Sequence, residues 1–599
     1  MTQISPPDQF LPVFRPAAHH ATSPQEPVLI SEPFAPARAE PPVAGALAYQ
    51  RDVLERTVLF WDVLRRRANN MLEHEQAGLP PLLNFKYELL LDGRQLPRPA
   101  NYALLRITQA GDLCWDDCVD PRKPPVIVLD PRAGHGPGLG GFKRESEVGI
   151  ALHTGHPVYF VVFFPEPCPD QKIADVLDVL KTFVAHVAEL HGSKPILYGN
   201  CQAGWAVTLL SAASPGLSGP TVLNGSPLSY WSGEPGINPM RMMAGFSGGS
   251  WLAHFLGDLN RGRFDGAWLV QNFEMLKPGN AIWDKYAKLF NEIDTEQERF
   301  LDFERWWNGF YRLSTEEIVA IVEDLFIGNR LEQGTLRLDN ESAVDLKRIT
   351  NPLIIFASYG DNITPPHQAL GWIPSVYGTT DALKKAGQRI VYLTNRHVGH
   401  LGIFVSASVA RLEHRAILEH LDRIKRLEPG LYEMKIDNPT NDPDCAKDQY
   451  AVRFEPRGVE QVRFDYPEKA FAHVRDVSEH FEGVYQSLFS PWVQAMATPW
   501  LSAWLHWMHP MRVRTYMWSE NFMPWMRVIS IWADAIRCNR SAAPSEVPFK
   551  ALERGMIEDV SALWESVRKV RDAAQERAFE QIYGNGQARP QSIQEHTHD

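Results

Sequence analysis

The chain has 599 residues, a formal net charge of −12 and 44% hydrophobic residues, which calls for two or three domains of ordinary globular composition. The acidic balance argues against nucleic acid as the main partner, and six cysteines without a regular framework fit a reducing compartment. No basic segment followed by an apolar run opens the chain as a signal peptide would, and the strongest apolar run, Pro157 to Pro165, is about half a membrane span, so a cytoplasmic protein is expected.

Residues 1–45 hold ten prolines and little apolar periodicity, which predicts an extended or disordered arm. From Ala46 the pattern turns helical. Leu47, Leu54, Val58, Trp61, Ala68 and Leu72 share one face, and residues 46–112 read as an N-terminal helical region. Arg65-Arg66-Arg67 reads as a solvated edge of that helix rather than a binding patch.

An α/β domain is expected over residues 113–425. Val126 to Leu129 is a buried strand, followed by the loop Asp130 to Gly141. Gly136-x-Gly138-x-x-Gly141 has dinucleotide-binding spacing, but a proline interrupts it and no clear acidic partner ends the next strand. The preferred reading is a loop whose backbone N–H, at Ala133, contributes to an oxyanion hole. Strand Val158 to Phe164, helix Ile173 to Leu190 and strand Pro195 to Tyr198 then alternate, implying a mainly parallel sheet.

Gly199-Asn200-Cys201-Gln202-Ala203-Gly204 reads as a sharp turn between that strand and an apolar helix. It places Cys201 where α/β-hydrolases hold their nucleophile and the Gln202 amide where the second oxyanion donor stands. A thiol at a helix N-terminus is favoured as thiolate. After strand Thr221 to Gly225 the alternation stops, and residues 226–345 read as a helical cap over the site. It resumes with strand Pro352 to Ser358 and the loop carrying Asp361, then strand Arg389 to Thr394 and the loop carrying His397 and His400. Nucleophile, acid, histidine is the α/β-hydrolase order. An imidazole completes thiol activation, and a carboxylate fixes its tautomer. His400, between Gly399 and Leu401-Gly402, has room to reach the thiol and is the preferred base over His397.

The segments Asn329 to Thr335, Val344 to Ala357 and Gly360 to Pro365 resemble the second half of polyhydroxyalkanoate synthases. That resemblance implies a Cys–His–Asp triad on an α/β-hydrolase core that polymerises 3-hydroxyacyl-CoA thioesters. The synthase elbow runs G-x-C-x-G-G, whereas Ala203 and Gly204 stand at its last two positions here. Cys201-Gln202 and Val398-Gly-His400-Leu-Gly-Ile-Phe404 are instead similar to intracellular polyhydroxybutyrate depolymerases. As a whole the chain resembles a proteobacterial family commonly labelled as a 3-hydroxyalkanoate synthetase, with the likeness covering about residues 120–425.

Residues 426–583 read as a mainly helical extension, with short strands at Leu431 to Ile436 and Tyr450 to Phe464 and a hairpin through Pro456-Arg-Gly458. Seven tryptophans fall between Trp492 and Trp532; packing between helices is favoured over contact with a lipid or polymer surface. Residues 584–599 read as a disordered tail. The expected fold is thus α/β, an α/β-hydrolase core with a helical cap and helical extensions at both ends. Two functional readings stay open. One is a cysteine-dependent acyl-transfer enzyme, synthase or hydrolase, taking acyl-CoA or polyester. The other is a scaffold binding polymer or a partner protein. No cofactor or metal is expected, nucleic acid is not expected as a partner, a homo-oligomer is, and association with a polymer granule or membrane surface is the peripheral contact anticipated.

Overall fold

Short runs of Val, Ile, Leu and Phe, bounded by Pro, Gly or Asp, become the strands of one sheet in the computed structural model of the protein, which describes residues 42–110, 113–114, 119–338, 343–438 and 450–584. In chain order along its main path they are β1 (Lys86–Asp92), β2 (Tyr102–Ala110), β3 (Val126–Leu129), β4 (Val158–Phe163), β5 (Ile196–Asn200), β6 (Thr221–Asn224), β7 (Leu353–Ser358), β8 (Arg389–Asn395), β9 (Gly430–Asp437) and β10 (Ala451–Arg457). Among the described residues their spatial order is β1-β2-β4-β3-β5-β6-β7-β8-β9-β10, with the two-residue strand Leu113–Cys114 beside β2. Neighbours from β4 to β9 run parallel. The flanking pairs β1–β2, β2–β4 and β9–β10 run antiparallel. This is the α/β-hydrolase arrangement, with helical extensions at both ends.

Strands β3 to β7 are buried along their whole length, as a sheet covered on both faces requires. The helix Ile173–His191 packs Val176, Leu180, Phe183 and Val187 onto one face. On the other face Val148 and Leu152, from the helix Glu147–His153, meet Val128, Phe160 and Phe356.

Two boundaries differ from the sequence reading. Helix Pro42–Gln76 is followed by β1 and β2, so 46–112 is not helical throughout: its second half is an antiparallel edge of the sheet. Pro456 lies inside β10 opposite Tyr432, so the turn between β9 and β10 is not at Pro456-Arg-Gly458. Proline is tolerated there because β10 is an edge strand. The proline-rich arm lies, over residues 1–41, outside the described residues, as does the tail from residue 585.

The long N-terminal helix also buries a different face from the one its apolar spacing predicts. Leu47 and Leu54 are exposed, whereas Asp52, Arg56, Asp62 and Arg67 are buried with Leu59 and Val63. Ion pairs decide this. Arg56 meets Glu553 at 2.8 Å, Arg540 meets Asp52 at 2.7 Å, and Arg67 meets Glu304 at 3.1 Å. The arginine run is therefore held in ion pairs rather than solvated: Arg65 pairs with Asp62 and Glu520, and Arg66 with Glu298. The tryptophan cluster departs from its reading in the opposite sense. Trp492 and Trp500 are both 73% exposed, so these indoles do not fill a core between helices.

The segment after β6 forms short helices from Met243 to Ile327 and a two-stranded ribbon, Arg263–Asp265 with Arg312–Ser314. It lies over the carboxyl ends of the central strands. Among the described residues no helix is long and apolar enough to cross a membrane.

Candidate active site

Cys201 stands between the end of β5 and the helix Gln202–Ala213, with φ 48° and ψ −118°. A non-glycine residue at positive φ is strained, and such strain persists only where its surroundings over-determine it. Two constraints do so here. The Cys201 amide donates to the Asn224 carbonyl at 2.8 Å, and Gly204 lets the helix press onto the start of the cap. A Cβ on Gly204 would stand 1.9 Å from Ser226 Oγ. The thiol is thereby lifted off the sheet edge into a covered site, where Cys201 is 4% exposed.

His400 is the first residue of the helix His400–Val405, after β8. Its Nδ1 donates to Asp361 Oδ2 at 2.7 Å. Asp361 Oδ1 accepts from the amides of Ile363 and Thr364 at 2.8 and 2.9 Å, which fixes the carboxylate in the loop after β7. With Nδ1 taken, Nε2 is the nitrogen left for the Cys201 side chain, which lines the same cavity. Burial alone would lower the His400 pKa. The Asp361 carboxylate and the Cys201 side chain outweigh it and hold the ring well above the ordinary imidazole value. His397 is exposed on the same loop. The geometry thus brings Cys201, Asp361 and His400 together and leaves His397 outside.

A cavity of about 260 Å³ opens over the thiol, lined on the sheet side by Ala133, His135 and Leu139 and on the cap side by Phe273, Leu276 and Trp307. Within the segment after β6, residues from Phe273 to Trp307 therefore cover the thiol. Ala133 lines the cavity beside Cys201, and Gln202 is the first residue of the elbow helix. The glycine loop is knitted to the cap: Gly136 N–H donates to Gly309 O at 2.8 Å and Tyr311 N–H to Gly134 O at 2.9 Å. Gly134 has φ +99°, and a Cβ there would stand 2.3 Å from Gly266 O, so only glycine permits this approach.

Three groups at the site escaped the sequence reading. His135 lines the cavity, its Nδ1 donating to Gly136 O at 3.1 Å and its ring 4.2 Å from that of Trp306. Burial lowers its pKa to about 4, so it is a neutral imidazole at working pH. Asp130 accepts the amides of Gly138 and Gly140 at 2.6 and 3.0 Å, and that of Leu139; burial outweighs these bonds and raises its pKa to about 6. Glu147 accepts from Asn200 Nδ2 at 2.5 Å and from Asn224 Nδ2 at 2.8 Å. Burial, with the Asp130 charge adding to it, raises the Glu147 pKa to about 8. Asn200 precedes the thiol and Asn224 takes its amide, so this carboxyl supports the elbow from below. The only sequence signal for Glu147 was its place after Ser146, which reads as the start of a helix.

The family described as "Protein of unknown function (DUF3141)" matches residues 52–598, and the chain belongs to it. An uncharacterized protein in the ackA 5′ region of Rhizobium meliloti is 41% identical over 556 residues, covering 91% of this chain and 75% of its own. The poly(3-hydroxyalkanoate) polymerase subunit PhaC of Haloferax mediterranei is 26% identical over 151 residues, covering 24% of this chain and 28% of its own. Among solved structures, a monoacylglycerol lipase of Paleococcus ferrophilus covers 50% of this chain and 96% of its own, at 17% identity and a TM-score of 0.31. A monoglyceride lipase of Saccharomyces cerevisiae covers 59% and 98%, at 13% identity and a TM-score of 0.35.

Proposed function

We propose that this member of the DUF3141 family is a cysteine-dependent acyl-transfer enzyme acting on 3-hydroxyacyl thioesters through an acyl-Cys201 intermediate. The observation that supports the reading is the strained elbow at Cys201 beside the cavity it shares with His400, whose Nδ1 is held by Asp361. The limited similarity to a poly(3-hydroxyalkanoate) polymerase subunit and the apolar walls of the cavity support the choice of substrate.

In the first step the Cys201 thiolate attacks the thioester carbonyl, with its proton on His400. The amides of Gln202 and Ala133 stabilise the oxyanion. Collapse expels the CoA thiolate, which takes the proton from His400, and leaves an acyl-Cys201 thioester. A hydroxyl group then attacks the acyl carbon, deprotonated by His400, and collapse breaks the acyl–sulfur bond, releasing the Cys201 thiolate beside the protonated His400 as at the start. If that hydroxyl belongs to a second hydroxyacyl group the product is an ester; if it is water the product is the free acid. The cap excludes bulk water from the intermediate, which favours the former.

Intact-mass analysis after incubation with 3-hydroxybutyryl-CoA tests the reading. A single acyl adduct is expected on the wild type and none on Cys201→Ala. Product size then separates the two outcomes: oligomeric ester marks a synthase, and CoA release with only free acid marks a hydrolase. If no adduct forms and no CoA is released from short or long acyl donors, the protein is a binding scaffold instead.

A further inference from the structure

The polar groups that reach the cavity over Cys201 are mostly committed to the protein itself. Glu274 accepts from Arg514 at 2.8 Å and from Trp307 Nε1 at 3.1 Å, and Lys285 donates to Glu304 at 2.9 Å. His400 Nδ1 goes to Asp361. Lys277 and Asn280 are exposed, at the rim. His135 differs from these. It is 4% exposed and lines the cavity, yet half of its hydrogen-bonding capacity is unspent.

The way the ring is held determines what that capacity is. A carbonyl only accepts, so Nδ1, 3.1 Å from Gly136 O, carries the proton. Gly136 O also accepts from Trp306 Nε1 at 3.1 Å, which fixes the carbonyl and with it the tautomer. The His135 backbone is bridged to cap residue Phe310, and its ring stands 4.2 Å from that of Trp306 and 5.9 Å from that of Trp307. Nε2, which has no hydrogen-bond partner among the described residues, is therefore a lone-pair acceptor held in place. Burial, with the charge of nearby His400 adding to it, lowers the ring's pKa to about 4. A substrate hydroxyl can thus donate to this nitrogen without losing its proton.

We propose that His135 Nε2 accepts a hydrogen bond from the hydroxyl on the third carbon of the acyl group, and so selects hydroxyacyl over plain acyl donors. His135 is then a specificity residue of the acyl-transfer reading, on which the proposal rests. Two positions along a chain span at most about 7 Å, so His135 stands close to Ala133, whose amide meets the acyl oxygen in that reading. Early carbons of the acyl chain are within its reach. The CoA arm leaves instead by the rim, where Lys277 and Asn280 suit its phosphates. An acyl chain without the hydroxyl leaves a buried acceptor unpaired, and sites built to bind a substrate hydroxyl reject such analogues.

Paired donors test the proposal: 3-hydroxybutyryl-CoA and butyryl-CoA, which differ in that hydroxyl alone. On the wild type, Cys201 acylation followed by intact mass should be about 10–100-fold faster with the hydroxyacyl donor. His135→Phe keeps an aromatic ring against Trp306 but has no acceptor, and the ratio should fall to near one. His135→Gln returns an acceptor oxygen near the place of Nε2 and should recover part of the ratio, which a merely structural role would not. Calorimetric binding of the two donors to Cys201→Ala should show the same preference without any chemistry. Equal acylation rates on the wild type would overturn the proposal. So would a ratio that survives His135→Phe while both rates fall, since His135 would then serve the CoA arm. If neither donor forms an adduct, the acyl-transfer reading falls, and binding to Cys201→Ala that ignores the hydroxyl sinks the role of His135 as well.

Discussion

At the scale of single residues, the loop after β8 offers two imidazoles only three positions apart, and the structure separates their environments completely. His400 is buried between Asp361 and the thiol, whereas His397 is exposed and contributes its backbone amide to Asn395. His400→Gln should lower acyl transfer by roughly 10²–10⁴-fold, the usual worth of a positioned base, and His397→Gln should leave it near wild type. Equal losses in steady-state CoA release would refute the assignment of the base. Glu147 makes a second residue-scale test, through pH. Its folded-state pKa of about 8 lies above the value near 4.3 of an unfolded chain. The folded state therefore keeps a proton that the unfolded state has lost, and stability falls as pH rises across that window. Glu147→Gln removes the titration. Relative to wild type, the variant should gain on the order of a kcal/mol per pH unit between about pH 4.5 and 8, read from urea unfolding. A stability difference that stays flat with pH would show that Glu147 is ionised in the fold.

At the scale of elements, the elbow works because the helix after Cys201 lies against the first residues of the cap. Gly204→Ala forces a methyl into Ser226, within 1.9 Å of Oγ and 2.2 Å of Cβ. Overpacking of this kind costs about 1–3 kcal/mol, and displacement of the helix should also abolish adduct formation at Cys201. Ser226→Gly in the same chain removes both obstructing atoms and should restore a substantial part of each loss; no recovery would mean that Gly204 matters for another reason. What could be read in advance follows the same division between local and distant causes. Cys201, Asp361 and His400 follow strands whose order along the chain is readable, so their placement at neighbouring strand ends was legible. Glu147 and Asp130 were not. An acid at the start of a helix and an acid before a glycine loop look ordinary until folding buries them beside Asn200. Strands β1 and β2 were missed because Lys86-Tyr-Glu-Leu-Leu-Leu-Asp92 lacks the strict alternation that separates strand from helix. The buried face of the first helix was misjudged because its partners, Glu553 and Arg540, lie almost a whole chain away.

At the scale of the molecule, the two terminal extensions and the cap meet at one buried carboxylate. Glu304, in the cap helix Gln297–Trp307, takes Arg67 of the N-terminal helix at 3.1 Å and Lys285 of the cap at 2.9 Å. Arg67 also donates to the Arg514 carbonyl of the C-terminal extension at 2.9 Å, and Lys285 lines the cavity over Cys201. Burial alone would raise the Glu304 pKa, but the two cations outweigh it and draw the value down to about 2. A depressed carboxyl pKa contributes stability that is fully present above the unfolded value and is lost as pH falls toward the folded one. Glu304→Gln leaves Arg67 and Lys285 buried without their anion, a change that typically costs about 3–5 kcal/mol. At pH 7 the variant should therefore melt well below wild type, and the gap should narrow steadily as the pH is lowered from about 4.5. A gap that persists unchanged at pH 3 would show that the loss comes from packing rather than charge. Hydrogen exchange supplies the structural counterpart. With the hub neutral, amides of the cap helices around Lys285 and Gln297–Trp307 should open faster while those of β5 and β6 stay protected, because the sheet does not depend on this contact. Faster exchange throughout the sheet would instead make Glu304 part of the core that the cap and core share.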